Sequence, residues 1–97
     1  MPTYSATRTF HDDYDRLSRE EKDLFRSAVT KMVAAEQSGA GFPPALRIKP
    51  MRGKPGIWEM TWDGNNGRAT FRYGEEERPG LRHFVWLRVG GHAIFGA

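Results

Sequence analysis

The sequence predicts one α+β domain over residues 1–97, in which two N-terminal helices pack on a curved, mainly antiparallel sheet of four to five strands. The first observation behind this prediction is a change of period: apolar residues recur with helical spacing up to Gly39 and at every second position beyond Pro44. The second is length, because 97 residues suffice for a single modest core. The third is the order of elements, since most strands follow both helices, as in many α+β domains.

The helical half opens with a weak strand pattern over residues 3–9 and changes to helical spacing at Phe10. A capping box then separates two helices, with Ser18 at the N-cap and Glu21 three positions later. Gly39 ends the second helix. The residues predicted to face the core are Phe10, Tyr14 and Leu17 in the first helix and Leu24, Phe25, Ala28, Val29, Met32 and Val33 in the second.

The C-terminal half contains four segments with the period of a strand. Pro50 lies in the first of them and confines it to a sheet edge, because proline cannot donate to a ladder. Residues 81–89 form the longest and most β-prone segment, which predicts a central strand. The segments are 45–51, 56–63, 68–73 and 81–89, and residues 92–95 are expected to extend the sheet.

The hairpin over residues 56–74 has one apolar and one charged face. A turn centred on Asn65 and Asn66 predicts that Glu59 lies opposite Arg72, and that Asp63 lies opposite Arg68. The apolar face, directed at the helices, consists of Trp58, Met60, Trp62, Ala69, Phe71 and Tyr73. We therefore expect Glu59, Arg68 and Arg72 on the face that the helices leave uncovered.

Alternation along residues 83–89 predicts which side chains of the central strand join each face. The predicted core set is His83, Val85, Leu87 and Val89, and the predicted uncovered set is Phe84, Trp86 and Arg88. Aromatic rings next to cations on one sheet face are typical of surfaces that stack bases and bind a phosphodiester backbone.

Charge is distributed unevenly along the chain. Residues 1–40 carry six Lys or Arg against seven Asp or Glu, whereas residues 41–97 carry nine against five, and the net charge is +3. Three of the five acidic residues stand together at 75–77. Arg47, Lys49, Arg52 and Lys54 crowd the predicted edge strand and the turn after it. The pattern indicates a polyanionic partner, either nucleic acid or an acidic protein, or else a solvated basic surface.

Several classes of protein are disfavoured. The chain has no cysteine, which excludes disulfides and thiolate metal sites. No apolar run approaches the roughly 18 residues that a membrane helix needs, and the polar start lacks the core of a signal peptide. We therefore expect a cytoplasmic protein.

Specific segments resemble the toxins of the RelE/ParE superfamily, which belong to bacterial type II toxin–antitoxin pairs. The C-terminal half of those toxins is similar to "LRIKPMRGKPGIWEMTW", "GRATFRYG" and "VWLRVGGHAIF", and their helical half matches "FHDDYDRLSREEKDLFRSAV" more loosely. The RelE-like branch, which the resemblance favours, cuts mRNA in the decoding site of the ribosome without a metal. The resemblance thus implies a cognate antitoxin, the ribosome and mRNA as partners, and no cofactor. The antitoxin segment is expected to be acidic or amphipathic.

The resemblance also implies roles for individual residues. In the family's reaction a base removes the proton of a 2′-hydroxyl, which attacks the adjacent phosphate, while an acid protonates the leaving 5′-oxygen. Cations hold the charge that grows on the phosphoryl oxygens. Arg68 matches the family's phosphate-binding arginine, and Glu59 follows the "GIW" landmark where some members place an acidic group.

The C-terminus departs from the family pattern. Phe95 stands where many ribonuclease members have a catalytic tyrosine, and His92 is the nearest residue able to exchange a proton. The predicted catalytic residues are therefore Arg68, His92 and Glu59. The predicted RNA- or phosphate-binding residues are Arg47, Lys49, Arg52, Lys54, Arg72 and Arg88, and the predicted base-stacking residues are Phe84 and Trp86.

Two other functions are open at this point. A ParE-like toxin that inhibits DNA gyrase needs no acid–base pair, so Phe95 presents no difficulty for it. The other function is that of a superfamily member whose catalytic site has decayed and which only binds RNA or the antitoxin. Clustered cations on one face favour the ribonuclease, because each phosphate of an RNA strand that a cation neutralises increases the binding affinity.

Overall fold

In the computed structural model, the chain folds into a five-stranded sheet with two helices on one face. The structure describes residues 2–64 and 66–95. The strands are β1 (Thr3–Ala6), β2 (Lys49–Pro50), β3 (Trp58–Asp63), β4 (Gly67–Arg78) and β5 (Leu81–Gly90). Their order across the sheet is β1-β5-β4-β3-β2. The helices are α1 (Arg8–Asp15) and α2 (Arg19–Ser38), and two 3₁₀ turns cover Pro44–Leu46 and His92–Phe95. The predicted α+β class is confirmed.

All neighbouring strands are antiparallel except β1, which runs parallel to β5 with Thr3 opposite His83 and Ala6 opposite Trp86. The predicted first strand is therefore present. β5 lies between β1 and β4, in the interior of the sheet as predicted. The two-residue strand β2 forms one edge and contains Pro50. Proline lacks an N–H donor, and at a sheet edge this breaks the fewest ladder hydrogen bonds.

Both helix starts follow from their capping residues. The Thr7 hydroxyl accepts the Phe10 N–H of α1 at 3.0 Å. Ser18 accepts the Glu21 N–H at 3.1 Å while Glu21 accepts the Ser18 N–H at 2.8 Å, so the predicted capping box is present. Gly39 ends α2 with φ 73°, a left-handed conformation that favours glycine.

The core lies between the helices and the sheet and is rich in aromatic rings. Phe25 of α2 is central, with ring centroids 5.9 Å from Phe10, 6.1 Å from Trp62 and 5.4 Å from Trp86. The buried stripe of α2 is Phe25, Ala28, Met32 and Ala35. Leu24 lies beside this stripe and is 42% exposed, so its predicted core position is wrong.

The β3–β4 hairpin has a different register from the predicted one. Glu59 lies opposite Thr70 instead of Arg72, and Asp63 lies opposite Gly67 instead of Arg68. The register is already shifted by one residue at Asp63, and a bulge between Thr61 and Asp63 adds the second. Asn65 of the predicted turn lies outside the described residues. The shift at Glu59 is two residues, so it preserves the predicted faces.

Trp62 is the residue at this bulge. Its indole occupies the space beside Gly67, where a Cβ would lie 2.6 Å from the ring. The indole N–H donates to the Arg68 carbonyl at 2.8 Å. The hairpin therefore closes around a buried tryptophan, which fixes its register.

A second bulge, in β5, reverses the predicted orientation of two aromatic residues. Phe71 is opposite Trp86 whereas Thr70 is opposite Arg88, so Leu87 is an extra residue in the strand. Phe84 and Trp86 consequently face the helices and are only 2% and 4% exposed. Their predicted place on the uncovered face is wrong, because alternation resumes with the opposite parity beyond a bulge.

Two further segments differ from the sequence prediction. Residues 92–95 form a 3₁₀ turn and do not extend the sheet. Residues 45–51 contain only the two strand residues of β2, preceded by the 3₁₀ turn that buries Leu46. Neither helix in the described part of the chain has the combination of length and apolar character that a membrane span requires.

Candidate functional site

The sheet face opposite the helices, here called the open face, carries most of the predicted site. Three strands contribute: Lys49 of β2 lies opposite Glu59 of β3, which lies opposite Thr70 of β4. Arg68 and Arg72 stand two positions on either side of Thr70. They are thus diagonal neighbours of Glu59 in the ladder, within reach of long side chains. One carboxylate therefore shares this face with three cations, of which Lys49 forms an ion pair with it.

Glu59 is held by the nearest of these cations. Its Oε1 lies 3.4 Å from Lys49 Nζ, and its side chain is 23% exposed against 64% for Lys49. The ion pair therefore combines a half-buried carboxylate with an ammonium group that still reaches solvent. Such an arrangement can accept a proton at the carboxylate while the ammonium attracts an anionic ligand.

Arg68 lies at the end of the open face, over the β3–β4 loop. Its Nη1 donates to the Asp63 carbonyl at 3.2 Å and to the Gly67 carbonyl at 2.9 Å. Along the ladder, Arg68 is opposite Thr61 on one side and Gly90 on the other. These two bonds use two of the five N–H donors of a guanidinium, and its planar fork suits the oxygens of a phosphate.

His92 is brought to the same end of the sheet by the turn that it begins. This His92 turn (His92–Phe95) follows Gly90, the partner of Arg68, after a single residue. The His92 N–H donates to Asn66 Oδ1 at 2.9 Å, and the imidazole meets the Phe95 ring edge-on with centroids 5.2 Å apart. The exposed imidazole thus stands beside the loop that also holds Arg68.

The close approach of Gly91 to Asn66 makes this anchoring possible. A Cβ on Gly91 would lie 2.4 Å from Asn66 Nδ2 and 3.1 Å from its Cγ. A larger residue therefore displaces the amide that accepts the His92 N–H.

The remaining predicted cations divide into two groups. Arg72 is exposed on the open face, opposite Val85. Arg47, Arg52 and Lys54 are also exposed, but they lie in the segments before and after β2 and not on a sheet strand. They form a positive border beyond Lys49.

Arg88 is bound by a carboxylate that the sequence analysis did not single out. Asp13 of α1 is 6% exposed, and its Oδ2 and Oδ1 accept from Arg88 Nε at 2.6 Å and Nη2 at 3.2 Å. The hydrogen bond to Asp13 raises the pKa of Arg88 above its ordinary value. The guanidinium is therefore engaged with α1 at the outer edge of β5. Its charge is largely balanced by Asp13 before any ligand arrives.

His83 was expected in the core, and that orientation is also wrong. It lies opposite Gly74 and Thr3, on the same side of the sheet as the open face, and is 5% exposed. Its Nδ1 is 2.7 Å from Thr3 Oγ1 and its Nε2 is 3.0 Å from Ser5 Oγ. These contacts join β1 to β5. Counting alternate residues with Leu87 left out as the bulge residue assigns His83 to the correct face.

The aromatic rings predicted to stack on bases are not available on the open face. Trp86 instead lines a cavity of about 540 Å³ between β1 and the helices, together with Tyr4, Phe10, Tyr14 and Phe25. Phe84 packs against Phe71 with ring centroids 5.4 Å apart. Within residues 2–64 and 66–95, no three His, Asp or Glu side chains are arranged to hold a metal ion.

Comparisons with known proteins give structural matches only. No protein-family model matches the sequence, and no curated protein matches it. The DinJ–YafQ toxin–antitoxin complex of E. coli matches with a TM-score of 0.70 at 12% identity, over 99% of this chain and 98% of the other. A YoeB/ParE toxin from Agrobacterium tumefaciens matches with a TM-score of 0.66 at 16% identity, over 93% and 98%.

A third structure extends the similarity to RelE. The RelB–RelE antitoxin–toxin complex of Methanococcus jannaschii has a TM-score of 0.57 at 13% identity, over 93% of this chain and 92% of the other. Each match covers nearly the whole of both chains, so it compares complete domains and not a shared fragment. The fold expected from the sequence resemblance is confirmed: this chain has the fold that these YafQ, YoeB/ParE and RelE toxins share.

Proposed function

We propose that this protein is the toxin of a type II toxin–antitoxin pair and that it cleaves mRNA on the ribosome. The observation that carries the proposal is the grouping of Glu59 with Lys49, Arg68 and Arg72 on the open face, with His92 at its end. A carboxylate, an imidazole and several cations are the groups that metal-free cleavage of RNA requires. The fold shared with YafQ, YoeB/ParE and RelE toxins supports the same conclusion.

Each group has a distinct part in the proposed reaction. Glu59 accepts the proton of the 2′-hydroxyl, whose oxygen attacks the adjacent phosphorus. Arg68 stabilises the negative charge that develops on the phosphoryl oxygens. His92 donates a proton to the 5′-oxygen as the P–O bond breaks, which replaces the hydroxyl that Phe95 lacks. Lys49 and Arg72 hold the flanking phosphates.

The proposal includes partners and a compartment. A cognate antitoxin is expected, since DinJ and RelB are the antitoxins in two of the matching complexes. The ribosome and mRNA are the expected targets, which places the toxin in the cytoplasm. An acidic or amphipathic antitoxin segment suits the exposed cations of the open face and of the border beyond β2.

Primer extension on mRNA from active translation reactions tests the proposal. New 5′ ends are expected within the coding sequence only when protein, ribosomes and mRNA are all present. A variant with Glu59→Gln and His92→Gln serves as the inactive control. Intact mRNA together with inhibition of gyrase supercoiling in vitro would establish the alternative, a ParE-like gyrase inhibitor. Intact mRNA with RNA binding alone would indicate a decayed member.

A further inference from the structure

The outer edge of β5 changes its partner halfway along the strand. β1 pairs with it only as far as Trp86. Beyond that point α1 takes over: the Thr7 N–H donates to the Trp86 carbonyl at 3.0 Å, and the Thr7 hydroxyl donates to the Leu87 carbonyl at 3.1 Å. The Val89 N–H then donates to Asp13 Oδ2 at 3.2 Å. Thr7, the N-cap of α1, and Asp13 within α1 thus satisfy backbone groups at an edge that β1 leaves unpaired.

Asp13 forms the last of these contacts along β5, and its carboxylate also binds other groups. Its side chain is 5% exposed and binds both Nε and Nη2 of Arg88 in addition to the Val89 N–H. Arg16 Nη1 lies a further 3.8 Å from Oδ1. A two-pronged carboxylate–guanidinium contact fixes both distance and orientation, more than a point charge does. The carboxylate therefore holds two consecutive residues of β5, side chain of one and backbone of the other.

Only two glycines separate these two residues from the His92 turn. Val89 is followed by Gly90 and Gly91, and then by His92. A surface cleft of about 340 Å³ lies between α1 and this turn, lined by Asp13, Leu17, Gly90 and Ile94 among others. The polar contacts of Asp13 at the border of this cleft connect α1 to the end of β5.

We infer that Asp13 is a positioning residue for His92, acting through Arg88 and Val89. Asp13 fixes the end of β5 from the α1 side, and Asn66 fixes the following turn from the β3–β4 loop. Together they set where the imidazole stands relative to Arg68. The catalytic meaning of this positioning rests on the proposed function, whereas the coupling between Asp13 and the turn does not.

The test compares Asp13→Asn with Asp12→Asn in the full chain. Asp12 is the adjacent residue, 55% exposed, with Arg8 at 3.9 Å. For Asp13→Asn we expect at least a tenfold fall in kcat for ribosome-dependent cleavage with KM within twofold of the wild type. Asp12→Asn should leave both constants unchanged. Asp13→Glu, which keeps the charge, should recover part of the lost kcat.

Nuclear magnetic resonance provides a readout that needs no enzymatic activity. Asp13→Asn should accelerate hydrogen exchange of the Val89 amide at least tenfold and shift the amide signals of residues 88–94, with smaller changes in β3. Arg88→Lys, which cannot form the two-pronged contact, should shift the same signals and serves if Asp13→Asn is too unstable. Unchanged exchange at Val89 and unchanged signals at the His92 turn in both variants would overturn the inference. If the wild-type protein cuts no mRNA but the variants show these changes, the proposed function is refuted and the coupling between Asp13 and the His92 turn is supported.

Discussion

Phe71 lies directly opposite Trp86 across the β4–β5 ladder, and their ring centroids are 5.4 Å apart. One step along the ladder, Thr70 is opposite Arg88, because Leu87 is inserted between the two pairs. This single extra residue places Trp86 in the aromatic core and leaves Arg88 free to meet Asp13. The bulge therefore reverses which alternate residues of β5 face the core: Phe84 and Trp86 before it, and Val89 after it.

The first prediction concerns this assignment of Trp86. Trp86→Ala should lower the free energy of unfolding by about 3–5 kcal/mol, because a large side chain leaves a cavity in a packed core. Leu24→Ala is the control: Leu24 is 42% exposed, and its truncation should cost less than about 1 kcal/mol. Urea denaturation of both variants measures the difference. Unchanged stability of Trp86→Ala, with weaker RNA binding, would show that Trp86 belongs to the open face after all.

Features set by neighbouring residues were predictable from the sequence. The capping box at Ser18 and Glu21, the edge position of Pro50 and the apolar face of the β3–β4 hairpin all depend on short-range patterns. The bulge in β5 is different, because residues 84–87 are all apolar and the sequence does not mark which of them is the extra residue. Counting alternate positions therefore fails for Phe84 and His83, on the far side of the bulge from the apolar Val89.

The site was predictable to a similar extent. Glu59, Arg68 and Arg72 share the predicted face because a two-residue slip preserves parity, although Glu59 is not directly opposite Arg72. The pairing of Asp13 with Arg88 joins residues 75 positions apart and has no local signature. Nothing in the run of Asp12, Asp13 and Asp15 distinguishes the buried carboxylate from its exposed neighbours.

The second prediction concerns the anchoring of the His92 turn. Gly91→Ala places a Cβ within 2.4 Å of Asn66 Nδ2 and should displace the amide that accepts the His92 N–H. Cleavage should fall about tenfold or more, because a misplacement on the order of 1 Å disturbs an aligned proton donor. Gly41→Ala, which has nothing within 4 Å of its added Cβ, is the matched control. Equal cleavage rates for the two variants would argue against a catalytic role of this turn.

The third prediction concerns the contribution of Lys49 to RNA binding. Lys49→Ala removes an ammonium group that is 64% exposed and should weaken binding of single-stranded RNA at low salt. The slope of log K against log salt should decrease in magnitude by about 0.7, the value for one phosphate contact on a single strand. Lys31→Ala, an exposed residue of α2, should leave the slope unchanged. Equal slopes for Lys49→Ala and the wild type would exclude a phosphate contact at Lys49.

The last prediction concerns Arg68, the cation nearest to the His92 turn along the ladder. Arg68→Ala should reduce ribosome-dependent cleavage on the order of 10²–10³-fold, the usual effect of removing a group that stabilises a developing oxyanion. Arg68→Lys should be almost as inactive, because an ammonium group cannot present the planar fork of a guanidinium. Single-turnover primer extension measures both rates, and Arg78→Ala at the far end of the β4–β5 hairpin is the control.

Stability separates this catalytic role from a structural one. Arg68 Nη1 also holds the carbonyls of Asp63 and Gly67, so Arg68→Ala should cost about 1–3 kcal/mol of unfolding free energy through two lost hydrogen bonds. Arg68→Lys keeps a donor near the same carbonyls and should be closer to the wild type in stability while remaining inactive. If cleavage by the two variants instead followed their stabilities, Arg68 would act by shaping the β3–β4 loop. If both variants cleaved at the wild-type rate, the phosphate would have to be bound by another cation of the open face, and Arg72 would be the first to examine.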